Sequence, residues 1–163
     1  MTVFKRDKNP KFRYIYGPVS SWRLGSSLGI DVLSAKEKAC SFDCLYCQIG
    51  RTAVKTKKRK IYAPTKDVIK EISNLPPDLK IDYITFSGTG EPTLASNLGE
   101  LIKKIKGLRR EKIAVITNSS LMNNKAVREE LALADFVIAK LDAPNEEMFE
   151  KIIHPLSKSL HEA

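Results

Sequence analysis

The length, composition and charge of the chain fit a globular protein whose positive charge is concentrated near the N-terminus. Its 163 residues are 42% hydrophobic and 29% charged, and the formal net charge is +9. This length allows one domain with a real core, and no stretch reaches the ~18 consecutive apolar residues of a membrane-spanning helix. Residues 1–62 carry 14 Lys and Arg against four acidic residues, whereas the remainder carries 14 against 15. Because residues 1–10 also lack the apolar segment of a signal peptide, we expect a cytoplasmic protein.

The first part of the chain predicts one strand, a loop and a helix after an irregular leader. Residues 1–25 are expected to be that leader, with a turn at Gly17-Pro18. A short β-rich run over 27–33 predicts the first core strand. Residues 51–64 predict a basic loop, after which Thr65 is expected to cap a helix that ends before a proline pair.

From residue 81 onward, apolar runs typical of buried strands alternate with helical patterns. The predicted strands cover 81–86, 112–117 and 135–141, and the predicted helices cover 98–108, 125–134 and a segment from Asn145 to about residue 153. Strands that alternate with helices imply a parallel sheet with right-handed crossovers. The predicted fold class is therefore α/β with four β/α units, in a single domain that covers residues 1–163.

The three cysteines of the chain all lie in one short segment, residues 40–47, which we call the cysteine loop. Cys40, Cys44 and Cys47 have the spacing C-x3-C-x2-C. Three thiolates this close can hold three corners of a four-iron cluster and leave the fourth iron open. A disulfide framework needs an even number of cysteines, and a zinc site normally needs four ligands. A chance grouping, or a redox pair formed by Cys44 and Cys47, is the alternative.

Two motifs resemble those of the radical S-adenosylmethionine (SAM) superfamily. One is the cysteine loop itself, including the aromatic Tyr46 before the last cysteine. The other is the segment 87–94, Ser-Gly-Thr-Gly-Glu-Pro-Thr-Leu, which is similar to the GGE motif of the superfamily. The upstream segment 16–31 resembles a branch of short proteins grouped near the wyosine-base tRNA synthases. The resemblance implies a partial parallel (β/α) barrel of six units, so this chain is expected to contain four of them and to lack the C-terminal part of the barrel.

The resemblance also implies a set of site residues. Cys40, Cys44 and Cys47 would ligate a [4Fe–4S] cluster, and SAM would bind its open iron. Tyr46 would shield the cluster or lie near the adenine, with core packing as the alternative. Gly90 and Glu91 would hold the amino group of SAM. The remaining two residues would contact its ribose or carboxylate; these are Asn118 and Asp142, for which the alternatives are a turn and a helix cap.

The predicted function is that of a radical SAM enzyme, an oxidoreductase that cleaves SAM reductively to a 5′-deoxyadenosyl radical. The substrate is unknown, and a tRNA base is one candidate. The basic run 55–60 would attract RNA or an acidic electron-transfer protein, although it also fits a solvated loop. Expected partners are a low-potential electron donor such as ferredoxin or flavodoxin, and a second chain that completes the sheet. The alternatives are a non-catalytic iron–sulfur protein and a truncated, inactive relic.

Overall fold

The fold is built on a five-stranded sheet that is covered by helices. The computed structural model describes residues 12–35 and 37–155. None of the helices in these ranges is long and apolar enough to cross a lipid bilayer. The strands are β1 (Ile15–Ser21), β2 (Gly25–Ile30), β3 (Ala39–Cys40), β4 (Val54–Lys55), β5 (Tyr83–Phe86), β6 (Lys112–Thr117) and β7 (Phe136–Ala139), and the helices are α1 (Thr65–Ser73), α2 (Leu98–Leu108), α3 (Lys125–Leu131) and α4 (Glu146–Ile153).

Four strands of the sheet run parallel, as the alternating pattern predicts. The strand order is β1-β2-β5-β6-β7; β1 pairs antiparallel with β2, and all later neighbours pair in parallel. The α/β fold class, with β2, β5, β6 and β7 each opening a β/α unit, is confirmed. Within the described residues the sheet is open, with β1 and β7 at its edges, which is consistent with part of a β/α barrel.

The prediction of an irregular leader over residues 1–25 is wrong for residues 15–21, which form β1. Residues 1–11 lie outside the described part of the chain. Gly17-Pro18 is not a turn between elements but a bulge inside β1, because the register with β2 shifts between Tyr16 and Val19. Proline lacks an N–H donor and is therefore tolerated in a sheet only at an edge strand or a bulge. Pro18 lies both in an edge strand and at a bulge. A pattern search that treats Gly-Pro as a strand breaker misses this case.

The core lies between the sheet and helices α1 to α3. Ile84 and Phe86 in β5 are fully buried in the same apolar cluster as Leu101 and Ile105 of α2. Thr65 is not the N-cap of α1: Pro64 holds that position, and Thr65 is the first helical residue. Its hydroxyl instead donates to Glu100 in α2 (2.8 Å), so it joins the two helices rather than closing one.

The basic segment 51–64 is mostly loop, with a short strand, β4, that pairs with β3 beside the cysteine loop. Arg59 within it is an internal residue. Its guanidinium donates to the carbonyl oxygens of Thr93 (2.8 Å) and Ala95 (2.9 Å) and pairs with Glu130 in α3. One cation of the basic run is therefore used in packing, whereas Lys55 and Lys58 are exposed.

Replacing Arg59 should destabilise the protein much more than replacing its exposed neighbour. Arg59→Ala removes three hydrogen bonds and leaves the mostly buried Glu130 carboxylate unpaired, so we expect a loss of about 3 kcal/mol in the free energy of unfolding. Lys58→Ala is the matched control and should change it by less than about 0.5 kcal/mol. Urea unfolding monitored by circular dichroism measures both. Equal effects of the two substitutions would contradict the internal role of Arg59.

Candidate functional site

A cavity of about 820 Å³ lies where the parallel strands end. This is the position at which α/β sheets bind ligands. Seven of the eight site residues expected from the sequence line it: Cys40, Cys44, Tyr46, Cys47, Gly90, Glu91 and Asn118. The eighth, Asp142, is not in the cavity wall but contacts two residues that are. The fold thus brings segments that are up to about 100 residues apart in sequence to one place.

The three thiols are free and line the same cavity. Cys40 is buried, whereas Cys44 and Cys47 are partly exposed. In the described residues, no three His, Cys, Asp or Glu side chains are arranged around a single metal ion. Burial raises the pKa of the Cys40 thiol, so an uncoordinated Cys40 is protonated at neutral pH.

The cysteine loop is held by the last described helix. The amides of Asp43 and Leu45 donate to the carbonyl oxygens of Ile153 (3.0 Å) and Ile152 (2.9 Å) at the end of α4. Phe42 packs edge-on against Phe149 of the same helix, with 5.4 Å between ring centroids. A helix leaves its last carbonyl groups without intrahelical partners. Here two of them accept hydrogen bonds from the loop, so the fourth β/α unit positions the cysteines.

Asp43 fixes the other side of the cysteine loop. Its carboxylate accepts from the amide of Thr52 (2.7 Å) and lies 3.3 Å from Arg51 Nε, and Thr52 in turn donates to the carbonyl of Phe42 (2.7 Å). The Thr52 amide, followed by the Arg51 charge, holds the pKa of Asp43 below its usual value. The loop is therefore clamped to the basic segment as well as to α4.

The glycine turn, residues 87–91, packs its backbone directly on the segment before Cys40. A Cβ atom at Gly90 would lie 1.7 Å from the carbonyl oxygen of Ala39. At Gly88, where φ is +147°, it would lie 2.5 Å from the Asp31 carboxylate, which also accepts from the Thr89 hydroxyl (2.8 Å). Both glycines are needed for contacts within the protein, since no larger residue fits. Their role toward SAM stays a prediction.

Glu91 is a buried carboxylate surrounded by donors. It is 2% exposed. Its oxygens accept hydrogen bonds from the backbone amide (3.1 Å) and hydroxyl (2.7 Å) of Thr93, the hydroxyl of Thr117 (2.6 Å) and the backbone amide of Asn118 (2.7 Å). Burial raises the pKa of Glu91, and these hydrogen bonds oppose the shift. Glu91 thus ties the glycine turn to the end of β6, and contact with a ligand remains a prediction for it.

Asn118 is directed at the cysteine loop. Its side-chain amide lies 3.5 Å from Cys40 Sγ and donates to the hydroxyl of Ser41 (2.9 Å), while its Oδ1 accepts from the Ser120 amide (3.0 Å). The side-chain oxygen of Asn118 therefore closes a turn with Ser120, which is the alternative role predicted for this residue from the sequence. The amide nitrogen lies beside a predicted cluster ligand, where N–H···S contacts influence reduction potential.

Tyr46, Lys140 and Asp142 form a contact group across the cavity mouth. The Tyr46 hydroxyl donates to Asp142, and Lys140 Nζ lies 3.2 Å from that hydroxyl, 3.3 Å from the Asp142 carboxylate and 4.5 Å from the centre of the Tyr46 ring. Burial, with the Asp142 hydrogen bond, raises the pKa of Tyr46. The cysteine loop is thereby joined to the segment after β7.

Two lysines of the cavity wall are not among the residues singled out from the sequence. Lys140 follows β7, so its position at a strand end is a signal that could have found it. Lys38 lies two residues before Cys40 and is buried, but nothing in the sequence distinguishes it from Lys36 or the other basic residues nearby. The cavity wall combines the three thiols with the cations of Lys38 and Lys140 and with the glycine turn. Thiolates are the usual ligands of an iron–sulfur cluster, and nearby cations suit its negative charge, so these residues fit such a cluster.

The packing of Gly90 against Ala39 makes a direct prediction about the cysteine loop. Gly90→Ala should displace the backbone beside Cys40, cost about 2 kcal/mol in stability, and lower the iron and sulfide content several-fold after anaerobic reconstitution. Gly107→Ala in α2 meets open space and should leave the iron content unchanged while stabilising the helix slightly. A Gly90→Ala protein with the full iron content would show that the close contact does not constrain the cysteines.

The relatives of this chain include UPF0026 proteins and a probable GTP 3′,8-cyclase. The chain is 45% identical over 149 residues to a UPF0026 protein of Synechocystis sp. and 41% identical over 143 residues to one of Methanocaldococcus jannaschii. These matches cover 91% and 86% of this chain, but 56% and 44% of the relatives. A probable GTP 3′,8-cyclase of Saccharolobus islandicus is 27% identical over 113 residues, 69% of this chain and 35% of that protein. The chain thus spans about half the length of the UPF0026 proteins.

The family assignment follows from a match over most of the chain. The model of the radical SAM superfamily matches residues 38–161. This range begins just before Cys40 and includes the glycine turn, Asn118, Tyr46 and Lys140, and thus most of the residues that line the cavity. No comparison singles out the wyosine-synthase branch. The chain belongs to the radical SAM superfamily.

Proposed function

We propose that this chain binds a [4Fe–4S] cluster on Cys40, Cys44 and Cys47, binds SAM beside it, and acts as a radical SAM enzyme. The observation that carries the proposal is that three thiols, the glycine turn and Asn118 line one cavity. When bound, the cluster and SAM together supply reductive cleavage to methionine and a 5′-deoxyadenosyl radical that abstracts hydrogen from a substrate. The protein supplies position and protection from water.

The residues of the cavity divide this work. The glycine turn presents backbone groups to the cavity. Hydrogen bonds from Thr89 to Asp31, and from Thr93 to Glu91 at the end of the turn, hold it in place. The contact group of Tyr46, Lys140 and Asp142 lies on the solvent-exposed side of the cavity. There it limits the access of water to a reactive species. Lys140, in the cavity wall, offers a cation to a polar end of a bound cofactor, and Asp142 holds Lys140 and Tyr46 in place from outside the wall. Asn118 lies within reach of both the thiol of Cys40 and the cavity.

The alternative of a non-catalytic iron–sulfur protein is less well supported. An electron carrier normally has a fourth protein ligand, and the chain contains no fourth cysteine. The described histidine, His154, follows α4, with its ring nitrogen against the carbonyl of Lys151 (2.8 Å) rather than in the cavity wall. An open coordination position beside a built cavity favours a protein that binds a small molecule there.

Electron paramagnetic resonance of the reduced, anaerobically reconstituted chain tests the proposal. We expect a [4Fe–4S]⁺ signal that changes when SAM is added, and 5′-deoxyadenosine among the products after dithionite reduction. Cys44→Ser should lose the signal and the product together, whereas Lys103→Ser on the exposed face of α2 should lose neither. A cluster signal that is indifferent to SAM would favour the electron-transfer alternative. The absence of any cluster in the wild-type chain would contradict the proposal as a whole.

For the substrate, we propose an anionic nucleotide or RNA, and for the electron donor an acidic low-potential protein such as ferredoxin or flavodoxin. Exposed Lys55 and Lys58 lie in the segment that begins at β4, next to Cys40. The probable GTP 3′,8-cyclase among the relatives carries a nucleotide in its name. We also propose that a further strand, from a continuation of the chain or a second chain, pairs with the open edge of β7.

If RNA binds the basic segment, charge reversal there should weaken it in a salt-dependent way. Lys55→Glu with Lys58→Glu should lower the affinity for tRNA and reduce the slope of log affinity against log salt by about 2. Lys103→Glu with Arg110→Glu, two exposed cations on or next to α2, is the control for net charge and should have a smaller effect. Filter binding at several salt concentrations measures this. Equal effects of the two double variants would argue against a specific RNA surface.

A further inference from the structure

Lys38 is a buried cation that forms no salt bridge with the described side chains. It is 8% exposed and lines the cavity together with Cys40, Cys44 and Cys47. Its Nζ donates to the carbonyl oxygen of Gly50 (2.7 Å), which is a neutral acceptor. The carboxylate of Asp43 lies close enough to interact electrostatically with Lys38, but its salt bridge is with Arg51.

A buried ammonium group is costly unless nearby anions compensate its charge. A single carbonyl hydrogen bond, and a carboxylate that already forms a salt bridge with Arg51, offset only part of that cost. Lysine is therefore seldom this buried unless it is paired. Its position in the wall of the thiol-lined cavity places its charge where an anion bound in the cavity would complete the compensation.

The contacts of Lys38 also connect it to the cysteine loop mechanically. The acceptor residue, Gly50, donates its own amide to the carbonyl of Cys47 (2.9 Å). On the opposite side, the carbonyl of Lys38 accepts from Val54 (3.0 Å) at the start of β4, next to the β3–β4 pairing that contains Cys40. Lys38 thus bridges the segments that carry the first and last cysteines.

We propose that Lys38 is the buried counter-charge of the iron–sulfur cluster and sets its reduction potential. This rests on the proposed function, since it requires a cluster on the three cysteines. A cluster held by thiolates becomes more negative by one unit when it accepts an electron. A fixed cation nearby stabilises the reduced state more than the oxidised one, and does so more strongly in a water-poor cavity than at the surface. Lys38 therefore makes the cluster easier to reduce, and is a positioning residue rather than a catalytic one.

The test is the reduction potential of the SAM-free cluster, followed by electron paramagnetic resonance during an anaerobic dithionite titration. Lys38→Met keeps an unbranched side chain that is only one atom shorter and removes its charge. We expect its one-electron equilibrium to shift about tenfold against reduction, which is about 59 mV toward more negative potential. Lys38→Arg keeps the charge and should stay near the wild-type value.

The matched control is Lys55→Met. Lys55 is the strand partner of Cys40 and carries the same charge, but it is exposed to solvent. Screening by water and salt should make its effect small, and smaller still in 0.5 M salt, whereas the Lys38→Met shift should persist. Equal shifts in the two variants would overturn the proposal, because net charge would then explain both.

Other outcomes also decide the question. An unchanged potential in Lys38→Met together with weaker SAM binding would overturn the proposal and assign Lys38 to the cofactor. If Lys38→Met and Lys38→Gln hold no cluster but Lys38→Arg does, the charge requirement is supported. If Lys38→Arg also holds none, the lysine acts through its shape, and the proposal fails. A wild-type chain without a cluster would instead reject the proposed function.

Discussion

The site depends on the buried carboxyl group of Glu91. A carboxylate removed from water is unfavourable unless hydrogen bonds replace its hydration, and here donors from the short turn after Glu91 and from the end of β6 surround it. The preceding residue, Gly90, is pressed against the strand that leads to Cys40. Glu91 thus joins the carboxyl ends of β5 and β6 through its hydrogen bonds. Because it follows Gly90 directly, it also holds the glycine turn against the segment before Cys40.

The cysteine loop itself has little internal structure to hold it in place. Its backbone is anchored from outside, by the carbonyl groups at the end of α4 on one side and by the Asp43–Thr52 contacts on the other. The first and the fourth β/α units are therefore joined directly at the site, although more than 100 residues separate them in the chain. This arrangement makes the position of the thiols a property of the whole sheet rather than of the loop.

Charge is used in two different ways in the basic N-terminal third. Arg59 stabilises the fold, since its mostly buried guanidinium donates hydrogen bonds to two carbonyl groups and pairs with the carboxylate of Glu130. Lys38 faces the cavity, and Lys55 and Lys58 face solvent. A count of net charge treats these residues alike, but burial decides which of them supports the fold, which acts on the site and which is free to attract an anionic partner.

The α/β class, the order of the four β/α units and the segments that meet at the site can all be predicted from the sequence. Hydrophobic period and cysteine spacing are local properties of the chain, and the carboxyl ends of parallel strands must lie at one edge. The sequence could not determine that residues 15–21 form an edge strand, because Pro18 sits at a bulge that only pairing with β2 defines. Nor could it show that Gly88 and Gly90 pack on Asp31 and Ala39, that Asp142 binds Tyr46, or that Lys38 is buried. Those facts arise from contacts between distant segments, and only the tertiary structure decides which side chain meets which.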